Sequence, residues 1–205
     1  MLEVDKLACV RGDRRVFSDL SFSFSPGTFV SLTGPNGSGK TSLLRILCGL
    51  LSPVEGEVRW RGERISNLGD EYFSEVTYLG HRNGVKDEFS GLENLKVACG
   101  LNGISLSQLD AQALMQRVGL EGRESLPARL LSEGQRRRIA LARLAASKST
   151  LWLLDEITTS LDRNALGLVR SLIREHLSKG GIAIVATHQD LGLTTDNIQR
   201  LELAT

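Results

Sequence analysis

The chain has 205 residues, of which 41% are hydrophobic and 24% charged, an ordinary mixture for one globular domain with its own core. A formal net charge of +1 excludes a global positive field that would recruit nucleic acid or an acidic membrane surface. The three cysteines lack C-x-x-C spacing and no apolar run approaches ~20 residues, which argues against a zinc site, a disulfide framework and a membrane span.

Alternating strand and helix patterns predict a parallel α/β sheet with a mostly helical insert. Strands are predicted at residues 2–10, 16–24, 28–33, 57–60, 63–65, 75–79, 150–154, 182–186 and 198–203. Helices are predicted at 42–50, 90–99, 105–118, 132–146 and 162–179. We expect one domain over residues 1–205, with a core at about 1–80 and 147–205 and a helical subdomain at about 81–146.

The segment Gly34–Thr41, with the sequence GPNGSGKT, lies between a predicted strand and a predicted helix. This context favours a phosphate-binding loop over an ordinary glycine turn. Glycines let the backbone N–H groups point inward, Lys40 can reach phosphate oxygens, and the Thr41 hydroxyl can ligate Mg²⁺. The candidate ligands of the nucleotide are Asn36, Gly37, Ser38, Gly39, Lys40, Thr41 and Ser42. The loop therefore predicts a nucleotide-binding chain.

Two predicted strands end in polar residues, the first at Asp155 and Glu156 and the second at His188. Ligands of open α/β sheets bind at the carboxyl ends of strands, where the phosphate loop also lies. We expect Asp155 to hold Mg²⁺, Glu156 to orient or deprotonate a water, and His188 to contact the γ-phosphate. Without the loop upstream, a simple loop start and a surface histidine would explain the same residues.

The segment Leu131–Gln135 allows two interpretations. Ser132 and Gln135 have the spacing of a capping box on the third helix of the insert, which alone would account for them. A helix N-terminus with a hydroxyl and a glycine is also an anion site. The second site then either folds onto the first or serves a nucleotide bound by another copy of the chain.

Together these motifs resemble the ATP-binding subunit of ABC transporters. The resemblance rests on Gly34–Thr41, Leu131–Gln135, Leu151–Glu156, Ser160–Asp162 and His188, in an order and spacing that cover nearly the entire chain. It implies a P-loop NTPase fold of the ABC type, an α/β core with an inserted helical subdomain. It also implies that two copies form a head-to-tail homodimer around two ATP molecules with Mg²⁺.

The same resemblance assigns roles to single residues. It implies that Ser132, Gly134 and Gln135 contact the γ-phosphate across the dimer interface. Asp162 is implied in communication between the two copies, and Glu156 in catalysis of ATP hydrolysis.

Four positions depart from the family pattern. His81 stands where a glutamine senses Mg²⁺ and the transporter partner, and Arg11 stands where an aromatic residue stacks on adenine. We expect His81 to take over the metal-sensing position and Arg11 to stack through its planar guanidinium. Glu133 replaces a glycine and adds negative charge near the helix start, and Ile157 replaces a proline that would restrain Glu156.

Within the family, the short length, Gly80-His81, Asn83-Gly84 and the pattern over Leu131–Arg138 resemble the ATPase subunit of the cytochrome c maturation system, a heme exporter. The resemblance implies integral membrane permease subunits as partners, a peripheral location on the cytoplasmic face of the inner membrane, and heme export or heme-chaperone release. Two alternatives stay open: a soluble ABC-type ATPase acting on ribosomes or DNA, and an ABC ATPase for another exported substrate.

Three consecutive arginines, Arg136–Arg138, suggest a nucleic-acid or lipid patch at first sight. Because such runs on a helix are usually a solvated or interface face, we interpret them in that way. No nucleic-acid partner is expected.

Overall fold

The computed structural model describes residues 1–158, 161–187, 190–195 and 197–203. Their contacts divide the chain into two compact units. The core unit contains Met1–Gly80, Ser149–Ile157 and the described residues from Ile173 onward. The helical unit contains His81–Lys148 and the described residues of Thr158–Leu172.

The elements follow the alternation expected from the sequence. The strands are β1 (Leu2–Arg11), β2 (Arg14–Phe24), β3 (Phe29–Thr33), β4 (Glu55–Trp60), β5 (Glu63–Arg64), β6 (Val76–Leu79), β7 (Leu151–Asp155), β8 (Ile182–Ala186) and β9 (Ile198–Glu202). The helices are α1 (Lys40–Leu47), α2 (Ile65–Leu68), α3 (Asp70–Glu75), α4 (Gly91–Leu101), α5 (Gln108–Arg117), α6 (Glu133–Ala146) and α7 (Arg163–Ser178), with a 3₁₀ turn at Ala128–Leu130.

The core unit holds two sheets. The first is antiparallel in the order β2-β1-β4-β5, with Val4 of β1 opposite Phe22 on one side and Val58 on the other. The second is parallel in the order β6-β7-β8-β3-β9. All residues of β7 and β8 are buried, as expected for apolar runs in a parallel sheet covered on both faces.

The parallel sheet decides where the candidate site lies. Strands β3 and β7 run in the same direction on either side of β8, so their carboxyl ends share one edge of the sheet. The loop after β3 and the carboxylates at the end of β7 therefore emerge at the same edge. Helix α1 is fixed beneath this edge because Leu43, Leu44 and Leu47 belong to the hydrophobic core.

Two short helices in the core unit were not predicted. α2 and α3 fill residues 65–75, and the prediction of Ile65 as a strand residue is wrong because it begins α2. Each helix is too short to show a 3.6-residue period, and Gly69 separates them. Tyr72 fixes α3 by inserting into the core, where its hydroxyl donates a hydrogen bond to the Leu47 carbonyl.

The helical unit is built on α4, α5 and α6. Its interior contains Leu95 of α4, Met115 of α5 and Ile139 of α6, all fully buried. The predicted capping box of α4 is confirmed: the Ser90 N–H donates to Glu93 Oε2 at 2.7 Å, and the Glu93 N–H donates to Ser90 Oγ at 3.2 Å. Among the described residues, no helix is both long and apolar enough to cross a membrane.

The helical unit extends beyond the predicted subdomain. The prediction ended the subdomain at about residue 146, whereas the unit also takes in the described residues of Thr158–Leu172. A physical reason is the ion pair between Arg138 Nη2 of α6 and Asp162 Oδ2, 2.8 Å apart, which ties the start of α7 to this unit.

Candidate functional site

The loop after β3 is closed by glycines that no other residue could replace without displacing a neighbour. Gly34 has a φ of +143°, and a Cβ there would lie 2.5 Å from the Leu203 carbonyl oxygen. Gly39 has a φ of +99°, and a Cβ there would lie 2.4 Å from Val16 Cγ1. The loop is thus pressed against the start of β2 and the residue after β9, and its curl depends on these glycines.

Helix α1 begins at Lys40, two residues before the predicted start. Its N-cap is Gly39, which has no side chain to cap the helix, and the described first turn carries no acidic residue. The N–H groups of that turn and the positive end of the helix dipole are therefore available to an anion.

Two buried polar atoms mark the inside of the loop. Lys40 is 7% exposed, and its Nζ donates hydrogen bonds to the carbonyl oxygens of Gly34 at 2.7 Å and Pro35 at 3.0 Å. Ser38 Oγ is buried and has no hydrogen-bond partner among the residues that the structure describes. A buried ammonium and an unpaired hydroxyl in one loop suit the oxygen atoms of a phosphate group.

A cleft of about 300 Å³ opens in front of the loop. Its walls include all of the predicted nucleotide ligands of the core unit except Ser38, namely Arg11, Asn36, Gly37, Gly39, Lys40, Thr41 and Ser42, and also the predicted catalytic residue Glu156. Arg14 and Val16 complete the wall. The sequence analysis did not assign these two residues to the site. Their closeness in sequence to Arg11 is the signal that could have shown it.

Asp155 and Glu156 follow β7 at the same edge of the sheet. Asp155 is 3% exposed, and its Oδ2 accepts a long hydrogen bond of 3.5 Å from the Tyr78 hydroxyl. Burial raises the pKa of Tyr78, and the negative charge of Asp155 adds to the rise, so this hydroxyl keeps its proton at neutral pH. Asp155 is thus an anchored carboxylate with a remaining oxygen to offer.

Glu156 has an unusual backbone. Its φ is +52°, in the left-handed region that costs a residue with a Cβ about 1–2 kcal/mol. The Glu156 N–H donates to the Ala186 carbonyl at 2.9 Å, and the fully buried Ile157 anchors the next position. A proline at 157 would disfavour helical backbone angles at Glu156, so the isoleucine found there leaves this conformation accessible.

The residues at this edge fit a magnesium ion. The Thr41 hydroxyl and the Asp155 carboxylate are hard oxygen donors of the kind that Mg²⁺ prefers. Within the described chain, no group of three or more His, Cys, Asp or Glu side chains is arranged to hold a metal. Waters and the phosphate oxygens of a bound nucleotide would be further ligands of a cation at this edge. The third predicted metal residue, His81, is exposed in the helical unit.

The N-terminus of α6 in the helical unit forms the predicted capping box. The Gln135 N–H donates to Ser132 Oγ at 3.3 Å, and the Ser132 N–H donates to Gln135 Oε1 at 3.0 Å. Capping uses the acceptor atoms of both side chains, so the Ser132 hydroxyl proton and the Gln135 amide protons can still be donated to an anion. The capping and anion-binding interpretations are therefore compatible.

A second cavity, of about 370 Å³, lies beside this helix tip within the helical unit. It is lined by the predicted residues Ser132, Gly134, Gln135 and Asp162, together with Gly119, Arg123, Arg138, Leu161 and Ala165. Asp162 also caps α7, because its Oδ1 accepts from the Ala165 N–H at 2.7 Å. This bond, followed by the Arg138 guanidinium, holds the pKa of Asp162 below its usual range.

Comparison with known proteins shows which family the chain belongs to. The ABC transporter family model matches residues 17–159. The chain is 50% identical over 202 residues to the cytochrome c biogenesis ATP-binding export protein CcmA of Nitrosospira multiformis, covering 98% of both chains. The chain belongs to the ABC transporter family. It is also 43% identical over 203 residues to the CcmA protein of Haemophilus influenzae, covering 99% of this chain and 95% of the relative.

Solved structures share the fold. An ABC transporter ATP-binding protein from Pyrococcus furiosus aligns with a TM-score of 0.82 and 24% identity, covering 98% of this chain and 96% of that one. A dimeric ATP-binding cassette in a post-hydrolysis state, bound to ADP and Pi, aligns with a TM-score of 0.76 and 23% identity, covering 92% and 88%. The predicted family, the P-loop α/β fold class and the ABC-type ATPase activity are confirmed.

The interpretation of Arg136–Arg138 as a solvated or interface face is wrong for Arg137, which is buried, whereas Arg136 and Arg138 are partly exposed. Arg137 is 4% exposed, Arg138 pairs with Asp162, and Arg136 Nη1 lies 3.2 Å from Asp87 Oδ1. Each guanidinium is engaged within the helical unit, which a run of three like charges does not reveal. The predicted γ-phosphate contact His188 lies outside the described residues, so its role stays a prediction.

Proposed function

We propose that the chain is the ATP-hydrolysing subunit of an export complex and that it works as a homodimer with ATP bound between two copies. The observation that carries this proposal is the cleft of the core unit, where the loop at Gly39–Thr41 and the catalytic candidate Glu156 share one wall. A phosphate-binding helix tip beside an acidic strand end is what phosphoryl transfer to water requires.

The core unit binds the phosphates of ATP. The N–H groups of the loop and the buried Lys40 ammonium bind the β- and γ-phosphate oxygens, with Asn36, Gly37, Ser38 and Ser42 shaping the cradle. Arg11 lies against the nucleobase through its planar guanidinium. Thr41 and Asp155 would hold Mg²⁺, with His81 as a further candidate ligand, and the ion would supply positive charge that favours the phosphates.

Glu156 supplies the chemistry of hydrolysis. Its carboxylate accepts a hydrogen bond from the attacking water and takes up the proton that this water loses. The fixed backbone at φ +52° and the bond to the Ala186 carbonyl set the direction of the side chain. His188 donates to the γ-phosphate and helps to hold it in line with the water.

The helical unit completes the site of the other copy. Ser132, Gly134 and Gln135 present a hydroxyl, a backbone N–H and an amide at one helix tip, a donor set suited to the γ-phosphate. Asp162 borders the same cavity. We assign it to communication between the two ATP sites of the dimer. Neither copy completes its site alone, which makes dimerisation dependent on ATP.

The relatives suggest the biological task. Proteins at 42–50% identity over nearly their whole length are cytochrome c biogenesis ATP-binding export proteins. We infer that this chain binds integral membrane permease subunits at the cytoplasmic face of the inner membrane. ATP hydrolysis would drive heme export or release of a heme-loaded chaperone during cytochrome c maturation.

The substitution Glu156→Gln tests the proposal. We expect the hydrolysis rate to fall at least a hundredfold, about 3 kcal/mol of barrier, because glutamine cannot accept the proton. The variant should accumulate as an ATP-bound dimer in sedimentation experiments. The matched change of the exposed Glu71 to Gln in α3 should leave both measurements unchanged. Hydrolysis at the parent rate in the Glu156 variant would remove Glu156 from the mechanism.

A further inference from the structure

The side chain of Asn83 lies between two residues of α6. Its Nδ2 donates to Glu133 Oε1 at 2.7 Å, and its Oδ1 accepts from Arg137 Nη1 at 2.8 Å. The guanidinium can only donate and the carboxylate can only accept, so these two neighbours fix the orientation of the amide. Arg137 is 4% exposed, so the Oδ1 end of the amide is held by a buried guanidinium, whereas the Nδ2 end reaches the exposed Glu133.

The backbone at Asn83 is held as firmly as its side chain. Arg143 Nη1 of α6 donates to the carbonyl oxygens of Asn83 at 3.1 Å and Gly84 at 3.0 Å. Gly84 has a φ of +61°, and a Cβ there would lie 3.0 Å from Arg143 Nη1. These bonds fix the backbone of residues 83 and 84, so the Asn83 amide reaches Glu133 from a rigid segment.

The position of Glu133 explains why its carboxylate has to be held in one orientation. It follows Ser132 directly and lies in the first turn of α6, at the tip proposed to bind a γ-phosphate. Two like charges a few ångströms apart repel each other even in water, and more strongly where water is excluded. A carboxylate free to turn toward that phosphate would oppose ATP binding across the dimer.

We propose that Asn83 is a positioning residue that holds the Glu133 carboxylate aside, so that Ser132 and Gln135 can receive the γ-phosphate of the partner's ATP. The proposal rests on the proposed function, since it concerns the same helix tip. It also explains how the chain tolerates a glutamate at a position where the family pattern has glycine.

The substitution Asn83→Asp breaks this contact selectively. The new side chain has the same shape and still accepts from Arg137, but it presents an oxygen to Glu133 instead of a donor. Adding Glu133→Gln restores the hydrogen bond with reversed polarity, because the introduced amide donates to the introduced carboxylate. The double variant has the same net charge at the two positions as the parent and carries no carboxylate at position 133, so it tests whether the defect of Asn83→Asp acts through Glu133.

The measurement is the ATP concentration that gives half-maximal dimer in the Glu156→Gln background, followed by light scattering. We expect Asn83→Asp to raise this concentration about fivefold and the double variant to return it to within about twofold of the background. Asn102→Ala, in the same unit and outside both cavities, is the matched control and should leave it unchanged. Thermal melting of each variant confirms that the helical unit stays folded.

The outcomes separate the two proposals. An unchanged ATP requirement in Asn83→Asp, or a double variant as impaired as the single one, would overturn the positioning role of Asn83. If the Glu156→Gln background itself forms no ATP-dependent dimer, the proposed function fails, whatever residue stands at position 83.

Discussion

His176 shows at the residue scale how burial can change the chemistry of a side chain. Its imidazole stacks on the Trp152 ring at 3.9 Å with an angle of 9°, and its Nε2 lies 3.1 Å from the Ile182 carbonyl oxygen. Burial lowers the pKa of His176 from 6.5 to about 4. The folded chain therefore holds this histidine neutral at pH values where an exposed histidine would be charged.

This pKa predicts a pH dependence of stability. The unfolded chain takes up a proton at His176 below pH 6.5, whereas the folded chain does so only near pH 4. The contribution to the free energy of unfolding is complete above pH 6.5 and is lost as the pH falls to about 4, by about 3 kcal/mol. We expect the free energy of unfolding, measured with urea, to fall less between pH 7.5 and pH 4.5 in His176→Phe than in the parent. An equal loss in both proteins would contradict the assignment to His176.

The phosphate loop is the informative case at the scale of the element, because its glycines are not equivalent. Gly39 faces Val16 and Phe17 of β2, whose nearest atoms would lie 2.4 Å and 3.0 Å from an added Cβ. Gly37 has a φ of +81°, but an added Cβ would meet no described atom within 4 Å. One glycine is required by space and backbone together, and the other by backbone alone.

We therefore expect alanine to have different effects at the two positions. Gly39→Ala should lower the free energy of unfolding by about 3 kcal/mol, since strain and a clash add up, and Gly37→Ala by about 1 kcal/mol. Urea unfolding measures both values, and titration with a fluorescent ATP analogue should show much weaker binding for Gly39→Ala. Equal losses at both positions would mean that Val16 moves away without cost.

Elements were predicted correctly from the sequence where a short run of neighbouring residues determines their structure. The apolar runs of β7 and β8 and the capping boxes at Ser90 and Ser132 are complete within a few residues, and all were predicted. The burial of Arg137 and the left-handed backbone of Glu156 depend on partners distant in sequence, Asn83 and Ala186. Such features become visible only when the chain is folded.

Dimerisation belongs to the scale of the whole molecule and predicts a separation of functions. Ser132→Arg places a bulky cation at the proposed interface tip, so it should abolish the ATP-dependent dimer while each copy still binds ATP in its own cleft. Ser107→Arg is the matched control, since Ser107 also caps a helix of the helical unit but lies outside the cavity beside α6. Sedimentation with ATP measures the dimer. An intact dimer in Ser132→Arg would contradict the assignment.

The buried cysteines offer a chemical probe of how each half of the molecule opens. Cys9 and Cys48 lie in the core unit and Cys99 in the helical unit, all as buried free thiols. Burial raises the pKa of each thiol, that of Cys48 to about 11, which keeps them protonated and unreactive at neutral pH. Brief exposure to iodoacetamide followed by peptide mass spectrometry would then time unfolding of the two units separately, without any introduced label.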